Sequence, residues 1–257
     1  MRTSYKLATL ALGSAALLPI LGAGTAFAAD GNVNVNANLR PVALNGVNGS
    51  GMASVAVKGT TITVTMAANG LLANSPHAAH IHFGADARHE CPVVTDDSNK
   101  DGHLNTTEGG PAYGPVEVSL TKTGDTTAAS TLAVDRFDTA KGGKISYERG
   151  SITVTQTVAD AISAGKSVVV VHGVDYNENG KYDGATKSDL APTLPTEATD
   201  PALCGALSAM PAGGMQTGAG GASSGTSNEG MLALGGGLML VAAGSGVYSV
   251  SRNRARG

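Results

Sequence analysis

Tryptophan is absent from this 257-residue chain, phenylalanine occurs three times and tyrosine six, so aromatic residues make up only 4% of it. A core made from such a sequence must be filled by Val, Ile, Leu and Ala. Charge is also scarce, at 14% of residues, with 17 Lys and Arg against 20 Asp and Glu. Five of the basic residues (Arg2, Lys6, Arg252, Arg254, Arg256) lie in the terminal segments, which leaves the part between them at a net −8. No basic patch with interleaved aromatics occurs, and an acidic surface repels phosphate backbones, so nucleic acid is excluded as a partner and divalent cations are favoured. Cysteine is limited to Cys91 and Cys204.

The two ends read as targeting segments. Arg2 and Lys6 precede an apolar run from Leu7 to about Gly22, and Ala26-Phe27-Ala28 offers a small-x-small cleavage site, the pattern of a secretory signal peptide over residues 1–28. Met231 to Val250 is uncharged and mostly apolar, of the length that crosses a bilayer, and is followed by Arg252, Arg254 and Arg256, which should stay cytoplasmic. Residues 231–257 therefore read as a membrane anchor. Residues 211–230, almost all small and polar, read as a flexible linker. Within the linker, Gly214-Met215-Gln216-Thr217-Gly218 resembles a degenerate cell-wall sorting signal that lacks the usual Leu-Pro, so the cell wall is a further expected partner beside the membrane. Export also makes a single disulfide the default state of Cys91 and Cys204, a bridge that contributes about 2–4 kcal/mol.

The region from about Asn32 to Leu207 has the size of one domain and a β pattern. Val33, Val35, Ala37 and Leu39 alternate with polar residues, as do Val55 with Val57 and Ile62 with Val64 and Met66. Further strands are predicted at the His80 segment, Val116 to Leu120, Thr131 to Val134, Ile152 to Thr155 and Val168 to Val171, with one short helix at Val158 to Ala164. Short strands punctuated by Gly, Asn and Asp predict an all-β, antiparallel sandwich or barrel.

Three of the six histidines fall in His77-Ala-Ala-His80-Ile-His82-Phe-Gly84. On a strand, side chains at i and i+2 share a face, so His80 and His82 project together. Such a pair is a ready set of ligands for copper, zinc, iron or nickel, although an isolated H-x-H is also what a surface edge strand carries. His172 ends the β-branched run Ser167 to Val171 and is expected at the rim of the sheet, where it could complete the cluster.

The residues from Asp97 to Glu108 satisfy the EF-hand loop template at every defined place. Asp97, Asn99, Asp101 and Asn105 supply side-chain oxygens, His103 its backbone carbonyl, Gly102 the sharp turn and Glu108 the closing carboxylate. Gly109-Gly110-Pro111 follows at once, so the loop is expected without a convincing helix behind it. A second candidate, Asp175, Asn177, Asn179, Lys181 (through its carbonyl) and Asp183, repeats the spacing but has Thr186 where the closing acid belongs, a lack that Asp183 at the ninth position, or Asp189 in a longer loop, could make good. Polar Asx-rich turns account for either stretch as well.

These pieces resemble the copper/zinc superoxide dismutase family, a Greek-key β-sandwich. His80-Ile-His82 is followed by Cys91 eleven residues after the first His, Val170-Val171-His172 looks like the strand that ends in the family's third copper ligand, and Leu203-Cys204-Gly205 is similar to the segment of its second cysteine. Gly102-His103-Leu104-Asn105 loosely resembles the context of its bridging histidine. The resemblance implies copper on His80, His82, His172 and His103, a Cys91–Cys204 disulfide and long metal-binding loops. It departs from the family in two places: no histidine lies between His103 and His172 for a zinc site, and the arginine that guides superoxide is replaced by Pro201. Ala79-His80-Ile81-His82-Phe83-Gly84 is equally similar to CHRD domains, extracellular modules without an assured activity. The expectation is thus an exported, surface-anchored sandwich binding copper and calcium, with a copper-only oxidoreductase and a structural CHRD-type surface module as alternatives.

Overall fold

The computed structural model describes residues 32–209; the stretches read as signal peptide (1–28), linker (211–230) and anchor (231–257) lie outside the described residues. Among the described residues no helix is long and apolar enough to cross a membrane. The domain is all-β and antiparallel, as its residue pattern predicts.

Alternation decides the first three strands. In β1 (Asn32–Pro41) Val35, Ala37 and Leu39 are buried; in β2 (Ser50–Lys58) the buried set is Ala53, Val55 and Val57; in β3 (Thr61–Asn69) it is Ile62, Val64, Met66 and Ala68. Gly59, at φ +57°, opens the tight turn between β2 and β3, a conformation that an L side chain resists. After the short β4 (Pro76–His77) come β5 (Ala79–His82) and β6 (Val116–Ser119), then β7 (Asp138–Thr139), β8 (Ile145–Thr153), β9 (Val168–His172), β10 (Pro201–Ala206) and β11 (Ser208–Ala209).

The principal sheet runs β6-β5-β9-β10-β1-β2-β3-β8, with β11 added to β1, and β4 pairs separately with β7. Strand β1 joins the two halves: Arg40 and Pro41 pair with β10, while Asn32 to Leu39 pair with β2. The sheet curls so that Ile81, Val169, Val171 and Leu203 of one half share a core with Val55, Val64 and Ile152 of the other. Helix α2 (Gln156–Ser163), capped by the Thr155 hydroxyl, adds Val158, Ala159 and Ile162 to that core.

Strand β9 is buried on both faces. Val169 and Val171 enter the main core, while Val168 and Val170 face a second apolar cluster with Leu104, Tyr113 and Cys204. The layer over this second face is made of connections, among them α1 (Thr106–Tyr113), and Cys91–Cys204 staples it down across 113 residues of sequence. The bridge is the one expected.

Two local expectations fail. Thr131 to Val134 is not a strand but a series of tight turns, held by Ser130 Oγ donating to Asp125 and Arg136 donating to Ser130 Oγ and the Asp125 carbonyl. Alternation over so few residues cannot compete with that network. Conversely, a helix does follow the first acidic loop: Asn105 accepts from the Glu108 amide and Glu108 accepts from the Asn105 amide, a capping box strong enough to start α1 despite Gly109, Gly110 and Pro111.

Candidate metal centre

Register brings three histidines to one place. His80 lies opposite Val170 and His82 opposite Val168 across the antiparallel β5/β9 pair, so both imidazoles stand on the face of β9 that carries Val168 and Val170. His172, two residues beyond Val170, projects to that same face and lies diagonal to His80. The ring centroids are 5.7 Å apart for His80 and His82, 5.1 Å for His80 and His172, and 6.0 Å for His82 and His172. All three residues are buried, and β5 is flanked on both sides by β6 and β9 rather than lying at an edge.

Each imidazole is held by one backbone carbonyl from the covering connections. His80 Nε2 donates to the Thr131 carbonyl at 3.2 Å, His82 Nδ1 to that of Gly114 at 2.8 Å, and His172 Nδ1 to that of Thr199 at 2.6 Å. A carbonyl only accepts, so these nitrogens carry the proton and the opposite nitrogens keep their lone pairs. Those opposite atoms, His80 Nδ1, His82 Nε2 and His172 Nε2, are buried and have no hydrogen-bond partner. One ring nitrogen from each residue lies within 4.8 Å of the others. Nitrogens on a shared ion at about 2.0–2.1 Å are at most about 4.2 Å apart, so small rotations close the set. Three neutral imidazoles oriented by carbonyls fit a borderline divalent metal.

Electrostatics keep the triad neutral. Burial lowers His82 to about 3 and His172 to about 4, and His80 falls well below its ordinary 6.5; proximity to His172 lowers His80 and His82 further. Protons therefore compete weakly for the lone pairs at neutral pH. Tyr113, at 4.5 Å between ring centroids, braces His82, and Phe137, at 5.3 Å, braces His80. Gly114 can be nothing larger, because a Cβ there would sit 2.6 Å from the Gly84 amide nitrogen, and its carbonyl must reach His82.

The triad lines a cavity of about 210 Å³ walled by Val116, Leu132, Val134, Leu190 and Leu194. His172 is thus buried in the cavity lining rather than exposed at a rim.

The remaining histidines go elsewhere. His77 is turned to the His172 and Leu72 carbonyls and to the Tyr182 hydroxyl. His89 stacks on Phe83. His103, expected from the resemblance to join the copper ligands, instead lies against the Tyr176 ring at 4.0 Å, because its place in the first acidic loop puts it beside the second. Glu90 pairs with Arg88 and does not line the cavity.

The two acidic loops fold alike. Asp97 accepts from the Gly102 amide as Asp175 does from that of Gly180; Asn99 accepts from Asp101 as Asn177 does from Asn179; Asp101 accepts from His103 as Asn179 does from Lys181. Both turn through positive φ at the fourth and sixth positions, Lys100 with Gly102 and Glu178 with Gly180. Asn105 and Asp183 occupy their ninth positions.

A carboxylate also stands against the second loop where Glu108 stands against the first, although sequence spacing does not reveal it. Glu108 accepts from the Ser98 and Asn105 amides of the first loop at 3.0 and 3.1 Å. Buried Glu197, far beyond the second loop, accepts from the equivalent Tyr176 and Asp183 amides at 3.1 and 2.7 Å. Asn45 is another residue without a sequence signal: its buried amide donates to the Leu104 and Pro201 carbonyls and accepts from the Leu104 amide, tying the first loop to β10.

No family model matches this chain, and no curated protein matches it either.

Proposed function

We propose that this protein is an exported, surface-anchored β-sandwich that binds copper through His80, His82 and His172 and calcium through its two acidic loops. The observation that carries the copper reading is the set of unpartnered nitrogens, His80 Nδ1, His82 Nε2 and His172 Nε2, buried together on rings whose other nitrogens are already committed. Leaving three buried acceptors unsatisfied is costly, and an ion with an all-imidazole donor set resolves that cost. Imidazoles without a nearby thiolate or thioether favour Cu(II) or zinc over Cu(I), and the resemblance to the superoxide dismutase and CHRD families favours copper. When bound, copper would supply redox-active chemistry beside the cavity; the chain's own part is to hold three neutral imidazoles in fixed orientation.

For calcium, Asp97, Asn99, Asp101, Asn105 and Glu108 supply the side-chain oxygens of the first loop, with the His103 carbonyl at the seventh position. Asp175, Asn177, Asn179 and Asp183, with the Lys181 carbonyl, supply the second, and Glu197 stands where its closing acid is needed. The signal-type segment 1–28 and the anchor-type segment 231–257 support an extracellular setting.

An oxidoreductase is the second reading, favoured by the open cavity beside the triad. Fast superoxide dismutation is not expected of it, because no Lys or Arg lines the cavity, Pro201 takes the place of the guiding arginine, and the exported part carries −8. Metal analysis of protein purified from its exporting host separates these readings from a purely structural module. Copper near about one equivalent and calcium near about two are expected; protein without either metal after reconstitution would contradict the proposal.

A further inference from the structure

The cavity above the triad is unlike the polar funnel that an anionic substrate needs. No Asp, Glu, Lys or Arg lines it, and its walls are Val116, Leu132, Val134, Leu190 and Leu194. Leu132, Val134 and Leu190 remain 44%, 40% and 45% exposed, so apolar surface continues from the chamber out to its mouth. Large side chains left in water around a concave apolar site mark a place where apolar matter docks. Its volume of about 210 Å³ exceeds the roughly 150 Å³ of an apolar cavity that holds benzene. A six-membered ring with a small substituent or a fused five-membered ring therefore fits, whereas a peptide segment or a lipid chain does not.

Against these apolar walls stand the imidazoles of His80, His82 and His172, with Thr106, Thr131, Thr199 and Tyr182 as the lining's other polar residues. A molecule with an apolar body and a single donor atom matches that division. We propose that the cavity takes a neutral, ring-sized apolar molecule carrying one nitrogen or oxygen donor, its body against the leucine and valine walls and its donor toward the metal on the triad. This rests on the metal-binding reading of the same triad. The walls then select by desolvation: an apolar ring gains by leaving water, and a charged substituent loses because no Asp, Glu, Lys or Arg lines the cavity to pair with it.

The test is calorimetric binding to the copper-loaded exported protein, with metal content measured on the same samples. The probes are imidazole, benzimidazole and benzimidazole-5-carboxylate, which share the donor and differ in apolar body and charge. Benzimidazole is expected to bind at least about tenfold tighter than imidazole, and the carboxylate to lose that advantage. Leu190→Asn, at a half-exposed wall position away from the carbonyls that hold the three imidazoles, should weaken benzimidazole more than imidazole, with copper content measured on the same variant. Copper-loaded protein that binds the three probes equally, or a variant that weakens imidazole and benzimidazole alike, would overturn the inference and leave the metal site standing. Failure to load copper or zinc at all would overturn both.

Discussion

The histidine triad, which can hold a metal ion, and the acidic loops, proposed as calcium sites, are constructed by opposite means. The triad stands on two paired strands, is buried, and keeps three lone pairs without partners. The loops are largely exposed, and most of their carboxylate and amide oxygens already accept a hydrogen bond from the loop's own backbone or side-chain amides, Asp97 Oδ1 being buried without a partner. An ion entering the triad gains without giving anything up. One entering a loop must exchange existing hydrogen bonds for coordination, so its net gain is smaller. Preorganisation of this kind ties the triad's metal affinity to the fold itself, whereas loop affinity depends on ligand charge.

The largest effect expected from breaking this contrast is on copper. His82→Ala removes one of three donors and should weaken copper binding by more than about 100-fold, exceeding the loss usual for a supporting partner, while calcium affinity is unchanged. Competition titration against a chelator measures the first and calorimetry the second. Equal losses for both metals would mean that the substitution had damaged the fold instead.

Acid should expose the cost of the metal-free triad. Unfolded imidazoles titrate near 6.5, whereas folded His82 and His172 titrate near 3 and 4 and His80 well below 6.5. Between those values the unfolded chain binds more protons, so stability is full above about pH 6.5 and falls as pH drops toward 4, by about 2 kcal/mol or more. Asp200 acts in the other direction: burial pushes its carboxyl up to about 7, so it takes up a proton on folding and offsets part of the loss. Urea midpoints of the metal-free protein across this range would show the decline.

Smaller effects should separate the loops from each other. Glu108→Gln removes a closing carboxylate supplied from within its loop, and Glu197→Gln removes one supplied from outside; each is expected to weaken one calcium site by about tenfold. Calorimetry that finds Glu197→Gln without effect would show the second loop to be only a turn.

Much of the architecture is legible in the residues. The alternations in Asn32–Pro41 and Thr61–Asn69 give strand and inward face together, and the run Val168 to Val171, without alternation, gives a strand buried on both sides. The pairing of His80 with His82 follows from strand periodicity alone. What brings His172 beside them is register between distant strands, which no local pattern encodes. The carbonyls of Gly114, Thr131 and Thr199 are invisible in sequence because any residue supplies one. Glu197 escapes for a related reason: loop templates look for an acid at a fixed spacing, and here a distant turn brings the carboxylate. The placement of His103 goes the other way, since a local motif resemblance suggested a copper ligand while packing against Tyr176 claims the ring.

Electron paramagnetic resonance of the copper-loaded protein tests the central claim most directly. Hyperfine structure from three equivalent-type imidazole nitrogens is expected in the wild type, reduced in His80→Ala, His82→Ala and His172→Ala, and unchanged in His103→Ala. A spectrum that survives loss of His80, His82 or His172, or one altered by His103→Ala alone, would contradict the assignment of copper to this triad.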